Sequence, residues 1–304
     1  MRVAAVAAEG ESAAGWDFSE PEDGGKATNQ AVAAARLGAP VTLVSIVGSD
    51  DRGRRALAYL EREGVDTRWV TVADGATDVG FVMLPPSKVP AIASAQDRSR
   101  DLDGARVEAA AADIRGGSVV LAQLEAPPEA AAAAFRIARA AGVTTILNPS
   151  PATEPDPGLL SLVDYLVPNE HEAAVLAGRN ASPRELAVEL AARWAPTVVL
   201  VTAGAQGAFV ASADGCDHVA APRVEVADTT GAGDAFVAAL AVGLRGGESI
   251  AAAARLAVNA ASVSVTRPGT VPSFPCLAEL NGTGAWASAE SAETRGTTPG
   301  GSAP

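Results

Sequence analysis

Histidine, cysteine and aromatic residues are scarce in this chain, and their scarcity narrows the chemistry open to it. The two cysteines, Cys216 and Cys276, lie far apart, and the only histidines are His171 and His218. Neither a CxxC zinc site nor a disulfide framework can be assembled from that set, which favours a reducing, cytoplasmic compartment. Aromatic residues make up 4% of the 304 positions, and much of the 48% hydrophobic content is alanine. No run reaches the roughly 18 consecutive apolar residues of a membrane span. The opening "MRVAAVAAEGE" has one arginine and too short an apolar stretch for a secretory signal, and reads as a short buried strand. Positive charge is also short: 23 Lys and Arg against 36 Asp and Glu leave a formal net charge of −13. Such a surface repels phosphate backbones and anionic lipid, so binding to nucleic acid or to a membrane surface is not expected.

What is present is enough length for a substantial core and a regular alternation of patterns. Apolar, β-branched runs ("VTLVSIVG", "SVVLAQLE", "VTTILNPSP", "LVDYLVPNE", "TVVLVTAG") alternate with helical ones such as "RGRRALAYLEREG", "PPEAAAAAFRIARAAG" and "PRELAVELAARW". Continuous apolar strands spaced in this way predict an α/β fold with a mostly parallel sheet covered by helices on both faces. In such sheets ligands sit beyond the carboxyl ends of the strands, where this chain places its glycines and polar residues. Two stretches break the alternation: residues 68–84 read as a hairpin around Asp74-Gly75, and residues 85–104 as a loop. One folded unit is expected over residues 1–280, and residues 281–304, rich in Gly, Ser, Thr and Ala, read as a disordered tail.

The sharpest motif is "DTTGAGDAF", Asp228 to Phe236. A dinucleotide fingerprint needs a small residue where Phe236 stands, so that reading fails. The alternative is an anion hole: backbone N–H groups of Gly231, Ala232 and Gly233 at a helix N-terminus, facing a phosphoryl group, with Asp234 beside it to take a proton. The competing plain reading is that Asp234 caps the helix. "DGGKATNQAVAAARLG" is not a Walker A loop, which needs glycine at Glu20 and a hydroxyl at Ala27. It leaves a Gly24-Gly25 turn, the cation Lys26, and Asn29 opening a helix whose apolar face is Ala31, Val32, Ala35 and Leu37. Glu125 ends an apolar run, where it either accepts ligand hydroxyls or is solvated. Asn169 and Glu172 start a helix, where an acid favours the macrodipole or orders a hydrated Mg²⁺. Thr202, Gly204 and Gly207 form a strand-turn-strand open enough for a flat base, although a plain hairpin has the same pattern.

In this order and spacing the pieces resemble the ribokinase branch of the phosphofructokinase-B (PfkB) carbohydrate kinases, over residues 10 to about 275. "GGKATNQAVAAARLGAPVTLVSIVGSDDRGRRALAYLEREGVDT" is similar to the family's amino-terminal signature, and "DTTGAGDAF" matches its carboxy-terminal one. The resemblance implies a three-layer α/β/α fold with a small β lid, here at about 10–23 and 68–92, and a homodimer through that lid. It implies ATP-dependent phosphorylation of the primary hydroxyl of a small sugar, D-ribose first, with Asp234 as the base and Gly231, Ala232 and Gly233 as the anion hole. Gly25, Lys26, Asn29, Glu125 and Asp234 would bind the sugar. Asn169, Thr202, Gly204, Gly207 and Gly233 would bind ATP, with Glu172 acting through Mg²⁺. Asp228, Thr230, Ser264, Gly269 and Ser273 match a monovalent-cation site, usually K⁺.

The chain departs from the family pattern in three places. The first strand of the family ends in an Asn-x-Asp element that grips the sugar, and "MRVAAVA" runs into "EGESAAGWDF" without it. Either the start lies upstream or the site is rebuilt, with Glu9 and Glu11 the nearest carboxylates. "GGKATNQ" stands for the usual "GGKGANQ", adding bulk at Ala27 and Thr28, and "SAQDRSRDLDGA" replaces a "PGAN" element. Fructose, a deoxy-keto sugar acid or a nucleoside are the alternative acceptors, and a non-catalytic nucleotide- or sugar-binding homologue is the alternative class.

Overall fold

Residues 2–3, 15–16, 24–83, 85–86, 91–95, 101–153, 156–194 and 197–282 are described by the computed structural model. Glu9, Glu11, most of the lid segment 10–23 and the tail beyond 282 lie outside them. Strands β1 (Arg2–Val3) and β2 (Gly15–Trp16) pair antiparallel. Helix α1 (Lys26–Arg36) leads into β3 (Val41–Gly48), and α2 (Asp51–Arg62) crosses over to β4 (Val65–Ala73), which runs parallel to β3. Asp50 starts α2 by accepting the Gly53 N–H at 3.0 Å.

The hairpin expected over 68–84 does not form. β4 is committed to β3, while β5 (Val79–Met83) pairs antiparallel with β6 (Ala91–Ala95), a strand inside the expected loop 85–104. The Asp74-Gly75 turn is present but folds back over the end of β3 instead of closing a ribbon. Gly48 N–H donates to Thr77 Oγ1 at 3.0 Å, and Thr77 in turn donates to Asp50. A Cβ on Gly48 would lie 2.4 Å from the Gly75 carbonyl, so that approach requires glycine.

Two short helices, α3 (Gly104–Ala109) and α4 (Ala111–Gly116), precede β7 (Val119–Gln123), α5 (Pro128–Ala140), β8 (Thr144–Asn148), α6 (Pro157–Leu160) and β9 (Tyr165–Leu166). Then come α7 (Glu170–Ala177), α8 (Pro183–Arg193), β10 (Val198–Thr202), β11 (Ala208–Ser212) and β12 (Gly215–Val219). Helices α9 (Ala232–Arg245), α10 (Ile250–Ser264) and α11 (Leu277–Gly282) complete the described chain. Strands β7, β8, β9 and β10 are parallel neighbours in a six-stranded sheet of order β12-β11-β10-β9-β8-β7, with β11 and β12 antiparallel at its far edge.

Successive residues of these strands feed opposite cores, as the twofold strand period requires. Ile146 and Leu200 pack with α1, α9 and α10, whereas Leu147, Val199 and Val201 pack with α5 to α8. The result is the expected three-layer α/β/α arrangement. The abundance of alanine has a packing role: α9 and α10 approach so closely that a Cβ on Gly243 would lie 2.9 Å from Ala253 Cα.

One feature interrupts the layers. Among the described residues β3 pairs only with β4, and β7 ends the six-stranded sheet, so each leaves an edge unpaired. Both edges line a single cavity of about 1250 Å³, closed by Ala31, Ala34 and Val242 on one side and by Ile114, Ala130 and Ala134 on the other. The apolar β7 is consequently only half-buried along its whole length, whereas β8 beside it is buried from Thr145 to Asn148. The same cavity opens into the site described next.

Candidate active site

Helix α9 begins at Gly231, whose φ of 80° places it in the left-handed region. A Cβ there would meet Thr270 Cγ2 at 2.6 Å and Phe274 Cε1 at 3.1 Å, so both backbone and space demand glycine. Gly233 has nothing within 4 Å of a built Cβ, leaving open room at the head of the helix. First-turn N–H groups have no intrahelical acceptor and carry the positive end of the helix dipole. One of the three expected anion-hole donors is partly engaged: Ala232 N–H reaches the Thr229 carbonyl at 3.3 Å.

Asp234 lies in the first turn of this helix and does not cap it. Its carboxylate accepts from the side chains of the neighbouring α1: Asn29 Nδ2 donates to Oδ2 at 2.9 Å, and Gln30 Nε2 donates to Oδ1 at 2.9 Å. The residue is buried, and burial pushes its carboxyl up to about 6; the Lys26 charge and the two amides pull it down, and Glu125 pushes it up. A group at that value is ionised at neutral pH yet basic enough to accept a proton from a hydroxyl.

The expected sugar-binding residues gather around it. Gly25, Lys26, Asn29, Glu125 and Asp234 all line the one cavity. Lys26 N–H, at the start of α1, donates to Glu125 Oε2 at 2.7 Å, so Glu125 sits at the positive end of a helix rather than in open solvent. Asn29 Oδ1 is the one buried side-chain polar atom without a partner among the described residues. A buried acceptor of this kind is costly unless a ligand donor meets it, and a sugar hydroxyl has the required chemistry.

Of the expected nucleotide residues, Gly233 lies in the first turn of α9, while Asn169, Glu172, Thr202, Gly204 and Gly207 follow β9 and β10; none of the six lines that cavity. Asn169 caps α7 in a capping box, accepting Glu172 N–H at 2.8 Å while its own N–H donates to Glu172 Oε2 at 2.8 Å. Asn169 is bridged to Thr202, which ends β10. Gly204 opens a short 3₁₀ turn, and Gly207 has φ 92° with a built Cβ only 2.0 Å from the Val219 carbonyl, so glycine is required there by the turn before β11 and by the close approach of the end of β12.

Three residues of the expected cation site, Asp228, Thr230 and Gly269, are tied together by hydrogen bonds, whereas Ser264 and Ser273 bond within their own segments. Asp228 Oδ1 accepts from Thr230 N–H at 2.9 Å and Thr230 Oγ1 at 2.7 Å, and Oδ2 accepts from Gly269 N–H at 3.0 Å. Ser264 and Ser273 are buried and donate to the Ala261 and Thr270 carbonyls at 2.8 and 2.6 Å. Sequence reasoning does not single out Gln30 and Asn148, yet they form the inner wall behind Asp234. The signal available is an Asn-Gln pair inside an otherwise alanine-rich helix face.

A buried, amide-held carboxylate behind a glycine-shaped helix N-terminus, on a three-layer α/β/α frame, defines a phosphoryl-transfer enzyme. The chain belongs to the pfkB family of carbohydrate kinases, whose family model matches residues 20–276. It is 36% identical over 260 residues to a ribokinase of Haemophilus influenzae, covering 84% of this chain and 85% of that protein. It is 34% identical over 272 residues to a ribokinase of Schizosaccharomyces pombe, covering 86% of each. Among solved structures, an Arabidopsis thaliana ribokinase complexed with ribose and ATP superposes with a TM-score of 0.77 at 28% identity, over 85% of this chain and 86% of that one.

Proposed function

We propose that this carbohydrate kinase transfers the γ-phosphoryl group of ATP to the primary hydroxyl of D-ribose, giving ribose 5-phosphate and ADP. The observation that carries the reading is the pairing of Asp234, held ionised but basic, with the partnerless Asn29 Oδ1 in the same cavity. In the reaction the hydroxyl proton passes to Asp234 as the sugar oxygen attacks the γ-phosphorus, and the bond to the bridging oxygen of ADP breaks. Gly25, Lys26, Asn29 and Glu125 hold the sugar hydroxyls. The first-turn N–H groups at Gly231, Ala232 and Gly233 meet the charge that develops on the transferred group, for which Gly233 leaves space. Asn169, Thr202, Gly204 and Gly207 hold the nucleotide.

Glu172, buried and with Oε2 engaged by the capping box, would help order the water shell of Mg²⁺ bound with ATP, which would supply neutralisation of phosphate charge. Asp228, Thr230, Ser264, Gly269 and Ser273 offer an all-oxygen set suited to K⁺. The buried Asp228 carboxylate has only N–H and O–H partners and no cationic side chain among the described residues. A homodimer through the lid is part of the same proposal, supported by the exposed Val72 and Phe81 on β4 and β5. So is a cytoplasmic location, supported by the free thiols of Cys216 and Cys276 and by the absence, among the described residues, of a helix long and apolar enough to cross a membrane.

The test is ADP release with a panel of pentoses, ketohexoses and nucleosides in K⁺ and in Na⁺. Ribose is expected to give the highest kcat/KM, and K⁺ to exceed Na⁺. ATP binding by calorimetry without sugar-stimulated turnover would instead favour a non-catalytic binding protein.

A further inference from the structure

Behind the base lies a chain of amides that the proton transfer itself does not use. Gln30, 1% exposed, donates from Nε2 both to Asp234 Oδ1 at 2.9 Å and to Asn148 Oδ1 at 3.2 Å. Its Oε1 accepts from Gln123 Nε2. Asn148 Nδ2 in turn donates to the Val167 carbonyl at 2.9 Å. The direction of this chain is fixed at its far end, because a backbone carbonyl can only accept. Asn148 must therefore turn its NH₂ toward Val167 and its oxygen toward Gln30, which presents NH₂, and never its oxygen, to Asp234. Gln123 fixes the same polarity from β7 by donating to Gln30 Oε1. The four side chains come from α1, β7, β8 and α9, so the orientation of one carboxylate is written into two of the three layers, the sheet and the helices packed on one of its faces.

We propose that Gln30 is a positioning residue for the base, oriented by Asn148 and Gln123, and that it fixes the plane of the Asp234 carboxylate while favouring its ionised form. The inference rests on the kinase reading of the site. Each Asp234 oxygen receives one amide N–H, from Asn29 or Gln30, and keeps a second lone pair for the hydroxyl proton. The charged groups acting on Asp234 are Lys26 on α1 and Glu125 beyond β7, and Asp228 lines the same cavity ahead of α9. Gln30 supplies a neutral donor that favours the carboxylate without adding charge beside an incoming polyphosphate.

The test is Gln30→Met, which keeps length and loses the amide. ¹³C NMR titration of the aspartate carboxyls, with Asp234 assigned by its loss in Asp234→Asn, is expected to show its midpoint rising by about one pH unit. The acid limb of kcat should rise with it, giving about a fivefold loss at pH 6 that nearly disappears at pH 8. KM values for sugar and ATP should change by less than about threefold, because the Gln30 amide, although it lines the cavity, is engaged by Asp234, Asn148 and Gln123. Gln123→Met is expected to move the midpoint in the same direction by less, and decides the matter if Gln30→Met does not fold. An unchanged midpoint in a folded variant overturns the proposal. If the wild type phosphorylates no sugar, the kinase reading fails, while the NMR midpoint still decides whether Gln30 sets the state of Asp234.

Discussion

Replacing Asp234 with asparagine is expected to remove most of the turnover and, at the same time, to stabilise the folded protein. The carboxyl stands at about 6 in the folded state against an ordinary value of 3.8, because burial outweighs Lys26, Asn29 and Gln30. With the folded value raised, the native state binds more protons than the unfolded state between these two values. The ionised form therefore costs the fold nothing below about pH 4, increasingly more through pH 4–6, and a full amount above about 6. A gap of roughly two pH units corresponds to about 3 kcal/mol. Asparagine carries no charge and so escapes that cost. It does turn an N–H toward one of the two amides that donate to Asp234, but Asn29 Oδ1 has no partner. A flip of the Asn29 amide gives the introduced NH₂ group an acceptor and avoids a donor–donor clash. Urea denaturation from pH 4 to 8 is the assay. Asp234→Asn is expected to gain about 2–3 kcal/mol over wild type at pH 7.5, narrowing to nearly nothing at pH 4. A variant no more stable than wild type at pH 7.5, or a gap independent of pH, would refute the argument.

Gly207→Ala forces a Cβ to 2.0 Å from the Val219 carbonyl at φ 92°, and should destabilise by more than about 3 kcal/mol, seen as loss of soluble protein or a lower urea midpoint. Asp228→Asn retains the fold but should lose any advantage of K⁺ over Na⁺ in turnover; an undiminished K⁺ effect contradicts the cation assignment.

Much of this molecule can be read from the order of its residues, and the failures have local causes. The β7–β10 strands are legible because each is a short β-branched run between helical patterns, and Ile146 and Leu147 show the two buried faces by entering different cores. β9 is only Tyr165–Leu166, although the backbone on either side still bonds to the sheet: Asp164 and Val167 N–H donate to the Thr145 and Leu147 carbonyls of β8. The hairpin expected at 68–84 fails because adjacency in sequence favours pairing β4 with β5, whereas the α2 crossover has already supplied β3 as a parallel partner. At the site, the glycines of "DTTGAGDAF" carry their geometry openly. The hydrogen bonds to Asp234 do not, since Asn29 and Gln30 lie more than two hundred positions away and meet it only through packing of α1 on α9. Asn169 and Glu172 form a capping box, the helix-start reading of their pattern; their nucleotide role is part of the proposal.

If Asp234 drives transfer of the γ-phosphoryl group to a sugar hydroxyl, the product formed from ribose and ATP, followed by ³¹P and ¹³C NMR with wild type and with Asp234→Asn, reveals it. Wild type is expected to form ribose 5-phosphate, with phosphorus coupled to C5, and the variant to form it at a rate lower by about a hundredfold or more. Phosphorylation at equal rates by both proteins would contradict that role for Asp234.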